Sequence, residues 1–177
     1  MTNNPTAISL DPLNLEPLPP ESRQRLLRFP LGVEESALLP LEEIAEILRI
    51  EITEILPVPE MPNCVLGISN WRGKMLWLVD LNHLINGESL LLLETVAASA
   101  VVMVVQLHDQ FLGLAVQQVN DIELHELQQL QPAVPGLFPS RLLPFVMGAL
   151  PGGNGMVLDV KAITQCPLWQ VHGGERY

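Results

Sequence analysis

Cys64-Val65-Leu66-Gly67-Ile68-Ser69-Asn70-Trp71-Arg72-Gly73-Lys74-Met75-Leu76-Trp77-Leu78-Val79-Asp80-Leu81 is the stretch whose reading decides the fold. Two apolar runs of strand length flank Asn70-Trp71-Arg72-Gly73, where Asn tolerates and Gly supplies the positive φ of a tight reversal. The segment reads as a β-hairpin. Its second arm, Met75 to Val79, is apolar at consecutive positions, which fits a strand covered on both faces and central in a sheet. Trp77 and Val79 are expected in the core, where Trp77→Ala would cost about 3–5 kcal/mol, and Trp71 nearer solvent. Asp80 stands at an N-cap position ahead of Leu81-Asn82-His83-Leu84-Ile85-Asn86, with Gly87 placed to end a short helix. Arg72 is the charge that packing does not explain, since Lys74 can extend into water.

The chain has 177 residues, enough for one domain or two small halves around a common core. With 48% apolar and 16% charged residues it lies well inside the globular regime. A formal net charge of −11 argues against nucleic acid, whose phosphates are held by clustered Lys and Arg. So few charges leave much of the surface aliphatic or uncharged polar, the character of protein interfaces. The apolar runs fall far short of the ~20 residues that span a bilayer, and Met1-Thr2-Asn3-Asn4-Pro5 lacks the basic region of a secretion signal. The expectation is a cytoplasmic protein. Cys64 and Cys166 have no second Cys or His at ligand spacing and read as core thiols, neither a disulfide framework nor a zinc site.

Residues 1–22 carry five prolines and no sustained hydrophobic period, so they read as an extended arm. Arg25 to Phe29 reads as a first strand, with a turn at Pro30 to Val33. Leu38 to Ile55 mixes helical and alternating spacing, and its β-branched density favours strand. Pro57 to Pro62 is an irregular connection, and Leu90 to Glu94 a short strand or linker. Ala100 to Leu107 and Phe111 to Val116 form a second hairpin about His108-Asp109-Gln110. Gln118 to Gln131 is mixed, and four prolines from Pro132 to Pro144 bracket an irregular segment. Phe145 to Leu150 and Met156 to Val160 form a third hairpin about the glycine-rich loop 151–155.

The chain also repeats itself. Leu39-Pro40-Leu41-Glu42-Glu43-Ile44-Ala45-Glu46-Ile47 resembles Leu114-Ala115-Val116-Gln117-Gln118-Val119-Asn120-Asp121-Ile122 at an offset of 75 residues, which also carries Pro57 onto Pro132. An offset of 81 carries Val65-Leu66-Gly67-Ile68 onto Val146-Met147-Gly148-Ala149, and one of 79 carries Asp80-Leu81 onto Asp159-Val160. The shared order of elements predicts a mostly β fold of two small barrels, since closing short strands on themselves removes exposed edges. The division is an arm at 1–22, a domain at 23–166 with approximate halves 23–95 and 96–166, and a tail at 167–177.

Catalysis needs a poised group with a partner, and His83, His108, His125 and His172 stand in unrelated contexts. No G-x-S-x-G, phosphate loop or H-E-x-x-H occurs, and Gly152-Gly153-Asn154-Gly155 lacks the Lys-Ser/Thr and helix that hold a phosphate. The segment Val65 to Gly73, followed by Val79-Asp80-Leu81, resembles the signature of CheW-like chemotaxis adaptors: Gly, hydrophobic, x, Asn, x, Arg, Gly, then hydrophobic, Asp, Leu. The resemblance covers about residues 25 to 165. It implies two five-stranded SH3-like barrels around a shared hydrophobic core, and a non-catalytic adaptor without cofactor or metal. Such an adaptor couples the cytoplasmic tip of methyl-accepting chemoreceptors to the regulatory domain of a CheA-like histidine kinase, and is recruited to membrane receptor arrays.

Carried over by residue, Arg72 matches the family's functional arginine and Glu46 its acidic partner. Asn70 and Gly73 match the turn that presents Arg72, and Trp71, Ile47 and Val116 complete the implied partner-binding set. Gln117 departs from a frequent aspartate, while Trp71 and Trp77 make the hairpin heavier than usual. With the Pro-rich arm, these features resemble members that serve pilus motility or phototaxis. The alternative from another class is a small β-barrel enzyme or metabolite-binding protein. Because residues 1–22 offer no periodic apolar face, their removal should leave the thermal midpoint nearly unchanged; a fall of many degrees would contradict this.

Overall fold

A computed structural model describes residues 22–32, 35–86, 99–133 and 142–166. The expectations for the arm up to residue 21, Gly87, Leu90 to Glu94 and the tail 167–177 lie outside them. The strands are β1 (Gln24–Leu31), β2 (Glu35–Pro40), β3 (Ile44–Glu51), β4 (Val65–Trp71), β5 (Lys74–Asp80), β6 (Ser99–Leu107), β7 (Gln110–Val116), β8 (Ile122–His125), β9 (Val146–Ala149) and β10 (Met156–Leu158). Two short helices, α1 (Leu81–Asn86) and α2 (Val160–Thr164), follow β5 and β10. The mixed stretch from Leu38 to Ile55 resolves into β2 and β3 separated by a single turn of 3-10 helix at Leu41–Glu43. Strand β1 runs two residues past its expected end at Phe29, to Leu31, and so into the expected turn.

One sheet has the order β8-β1-β2-β10-β9 and the other β3-β6-β7-β5-β4. The halves 23–95 and 96–166 therefore do not each form a sheet: β1 and β2 join the last three strands, and β6 and β7 join the middle three. Exchanging β1 with β6, β2 with β7, β3 with β8, β4 with β9 and β5 with β10 turns one order into the other, and this is the repeat seen in the sequence. The parallel pairs β2–β10 and β7–β5 correspond, as do the antiparallel ones.

Each sheet closes on itself at matching places. Leu56, downstream of edge strand β3, bridges Ile68 on the opposite edge strand β4, and Gln131, downstream of β8, bridges Ala149 on β9. These closures make two five-stranded barrels, called here the first (with β1) and the second (with β3). A Cβ at Gly67 would stand 2.2 Å from the Leu56 carbonyl oxygen, and one at Gly148 would stand 2.7 Å from that of Gln131, so each seam passes over a glycine. Asp80 Oδ1 accepts from His83 N at 3.1 Å and Asp159 Oδ1 from Ala162 N at 3.2 Å, so both helices start on an aspartate cap.

Central strands are covered on both faces, which explains their unbroken apolar runs. Along β6, Val101, Met103 and Val105 enter a core shared by both sheets, while Ala100, Val102 and Val104 fill the second barrel. On β1, Leu27, Phe29 and Leu31 enter the shared core and Leu26 the first barrel. Cys64 and Cys166 are buried, as expected of core thiols. Among the described residues no helix is long and apolar enough to cross a membrane.

The two tryptophans reverse the expectation. Trp71 is 5% exposed and packs in the second barrel with Leu76 and Leu78. Trp77 is half-buried at the rim of the shared core. The face of β5 that carries Val79, Trp77 and Met75 leaves the shared core as the hairpin projects outward, so Val79 is 0% and Met75 50% exposed. Iodide should therefore quench Trp77 more than Trp71, and Trp71→Ala should cost more stability than Trp77→Ala. Gly67 has φ 142° as well as the close carbonyl. Gly67→Ala should cost at least the ~1–3 kcal/mol of such backbone strain in urea unfolding; an unchanged midpoint would mean that the seam is not closed as described.

Candidate functional site

Trp71 pairs with Lys74, so the hairpin turns through a two-residue loop, Arg72-Gly73. Both residues have positive φ, 52° and 77°, the type I′ conformation that matches strand twist. Sequence reasoning put the tolerant residue at Asn70. The structure puts positive φ on Arg72 instead, where a side chain other than Asn, Asp or Gly is uncommon. Asn70 lies in the strand and steadies the loop by accepting, through Oδ1, from Gly73 N at 3.0 Å.

Glu46 meets the tip from β3. Its Oε1 accepts from Trp71 Nε1 at 2.9 Å and lies 3.0 Å from Arg72 Nη2. The Arg72 guanidinium carbon sits 4.8 Å from the Trp71 ring centroid, and the Trp71 and Phe111 rings are 4.9 Å apart at 53°. Lys74 Nζ lies 4.9 Å from the Phe111 ring centroid. Buried Trp71 is thus the base on which both the carboxylate and the guanidinium rest. The Arg72 side chain is 64% exposed, so its ion pair adds little to stability and mainly orients the group. A guanidinium has five donors in a rigid fork, so one bond to Glu46 leaves others facing solvent.

The structure brings Glu46, Asn70, Trp71, Arg72 and Gly73 together. Ile47 follows Glu46 on β3, faces the opposite way and is 39% exposed. Val116 is a correction: its side chain is 2% exposed and belongs to the shared core, because the end of β7 is covered there. Sequence reasoning missed Phe111, Lys74, Leu56 and Met75, which surround the tip. Lys74 was visible beside the turn and set aside as solvated; Phe111 carried no local signal, because only the pairing of β7 with β5 brings it near.

The family model of the CheW-like domain matches residues 25–166. The chain belongs to the CheW-like domain family. Among curated proteins nothing matches. Among solved structures, the crystal structure of the scaffolding protein TtCheW from Thermoanaerobacter tengcongensis is similar with a TM-score of 0.61 at 22% identity, over 77% of this chain and 87% of that one. At that identity the likeness speaks to the fold, and it agrees with the two barrels.

This CheW-like chain carries a second charged cluster on the first barrel that sequence reasoning did not find. Arg28 Nε and Nη2 grip Glu123 at 2.5 and 3.0 Å, while Nη1 donates to Ser36 Oγ and the Asn154 carbonyl, both at 2.7 Å. One side chain on β1 thereby ties β8, β2 and the loop before β10. His125 Nε2 lies 2.7 Å from Glu123 Oε1. The Arg28 hydrogen bonds, helped by His125, hold the Glu123 carboxyl down at about 2. Burial pushes the Cys64 thiol up to about 11, which makes it a poor nucleophile.

A carboxyl held below its unfolded value stabilises the fold above the unfolded pKa, and this contribution fades as pH falls through the folded one. Stability should therefore drop between about pH 5 and 2, partly through Glu123. Glu123→Gln should flatten that part of the curve and be least different from wild type at the acid end; parallel curves from pH 7 to 2 would contradict the assignment.

Proposed function

We propose that this chain is a non-catalytic adaptor, binding the regulatory domain of a CheA-like histidine kinase and the cytoplasmic tip of a methyl-accepting chemoreceptor. The observation that carries the reading is the built hairpin tip, in which Glu46 and Trp71 hold Arg72 outward on a strained two-residue loop. Strain of this kind is retained where the surroundings over-determine it, commonly at functional sites. Family membership supports the scaffold role, and a protein of like fold is described as a scaffolding protein. The heavy hairpin and Pro-rich arm favour a pathway of pilus motility or phototaxis. Recruitment to receptor arrays follows from binding the receptor and needs no membrane segment of its own.

The mechanism asks nothing of the adaptor but geometry. A planar fork held by Glu46 offers a carboxylate two donors in fixed directions, which an ammonium does not. In a chain of net charge −11, a cationic tip formed by Arg72 and Lys74 is also a local reversal of sign that an acidic partner surface would meet.

Arg72→Ala should leave circular dichroism and the thermal midpoint within the range of a surface change. It should weaken kinase or receptor binding by tenfold or more, about 1.4 kcal/mol. Arg72→Lys should restore binding only in part. Wild-type affinity of Arg72→Ala for both fragments would move the adaptor surface elsewhere.

A further inference from the structure

The two seams that close the barrels share a plan and end differently. In the second barrel Leu56 and Ile68 exchange main-chain bonds of 2.8 and 2.9 Å. Alternation along an antiparallel strand turns the N–H and C=O of Asn70 toward the same edge as those of Ile68. Glu54 would be the next partner, but Ile52–Glu54 curls into a turn of 3-10 helix, held by reciprocal bonds between Glu51 and Glu54. Among the described residues no main-chain bond reaches Asn70 along that edge.

In the first barrel Gln131 and Ala149 exchange the equivalent bonds, again 2.8 and 2.9 Å, and the residue at the place of Asn70 is Pro151, which has no N–H to offer. The side chains differ in the same sense. The repeat sets Leu56 against Gln131 and Met75 against Asn154, so the first seam is polar and ends on proline, a common way to blunt an edge. The second is apolar and leaves a donor and an acceptor unmatched.

That open edge forms a groove of about 430 Å³ whose lining includes Glu54 at one end and Leu56, Ile68, Asn70, Lys74 and Met75. Leu56 is 64% exposed and Met75 50%, a pair of large apolar side chains facing solvent beside the open edge of β4. Lys74 is in no ion pair among the described residues. Main-chain groups spaced for a ladder, an apolar shelf and an ammonium that rests on the Phe111 ring with no carboxylate of the described residues paired to it together describe an occupant: an extended chain carrying an apolar side chain and a carboxylate.

We propose that the edge of β4 at Asn70 is a docking site for a short extended peptide of a partner protein. The peptide pairs its main chain with Asn70, lays an apolar side chain on Leu56 and Met75, and brings a carboxylate to Lys74. The proposal rests on the adaptor reading only in taking the hairpin tip as partner-facing, and it adds what kind of segment meets it there.

A displayed library of random heptapeptides panned against the full chain tests it. Enriched peptides should alternate apolar residues with at least one Asp or Glu, and should slow amide exchange at Asn70 tenfold or more. They should bind Leu56→Glu and Lys74→Glu at least tenfold more weakly than wild type. Absence of enrichment, or enriched peptides that leave exchange at Asn70 unchanged, would overturn the proposal. If such peptides protect Asn70 while kinase and receptor fragments fail to bind the full chain, the adaptor reading falls and the docking edge stands.

Discussion

Neither barrel can be built from one half of the chain. Each takes two central strands from one half and three from the other, and the central pairs β1–β2 and β6–β7 present their second faces to a common core. Phe29, Leu39, Met103 and Leu114, each 0% exposed, meet there from the two sheets. Separating the two halves of the chain would expose that core and break both sheets at once, so the structure is held as a single cooperative unit. Closing the seams over Gly67 and Gly148 is the accompanying constraint, because a side chain at either place would force the bridging carbonyl away.

The site inherits its geometry from this arrangement. Parallel pairing of β5 with β7 sets the hairpin beside Phe111, and β3 at the far edge of the same sheet returns to bring Glu46 across the barrel end. Trp71 fills the space between them. Its indole N–H would be costly to leave unmatched in a buried place, and the Glu46 carboxylate both satisfies it and faces the guanidinium. One interaction that completes the packing of the barrel therefore also aims a surface charge. The first barrel uses its own arginine differently: Arg28 has its donors engaged within the fold and fastens strands together.

Much of this was legible in the sequence, for identifiable reasons. Strand pairs were marked by apolar runs and turn residues, the paired aspartate caps by their position after a strand, and the twofold plan by similarity at offsets of 75 to 81 residues. Arg72 stood out as the hairpin charge that packing does not explain, and resemblance to a known signature added its partner Glu46. Similarity between halves tells which elements are equivalent but not which ones pair, so the sharing of strands between sheets was out of reach. The faces of the tryptophans were misread because parity alone does not say where along β5 the shared core ends. Val116 carried a surface role only by resemblance, and packing buries it. The Arg28–Glu123 contact joins residues 95 apart in sequence, and nothing local marks it.

The central claim is that Glu46 serves partners through Arg72, by fixing the direction in which the guanidinium points. A double-mutant cycle on kinase binding, with Glu46→Gln, Arg72→Ala and the pair, tests it most directly. The account predicts that Glu46→Gln weakens binding in the wild-type background and has no further effect once Arg72 is removed. Independent, additive losses would contradict it, as would full affinity in Glu46→Gln.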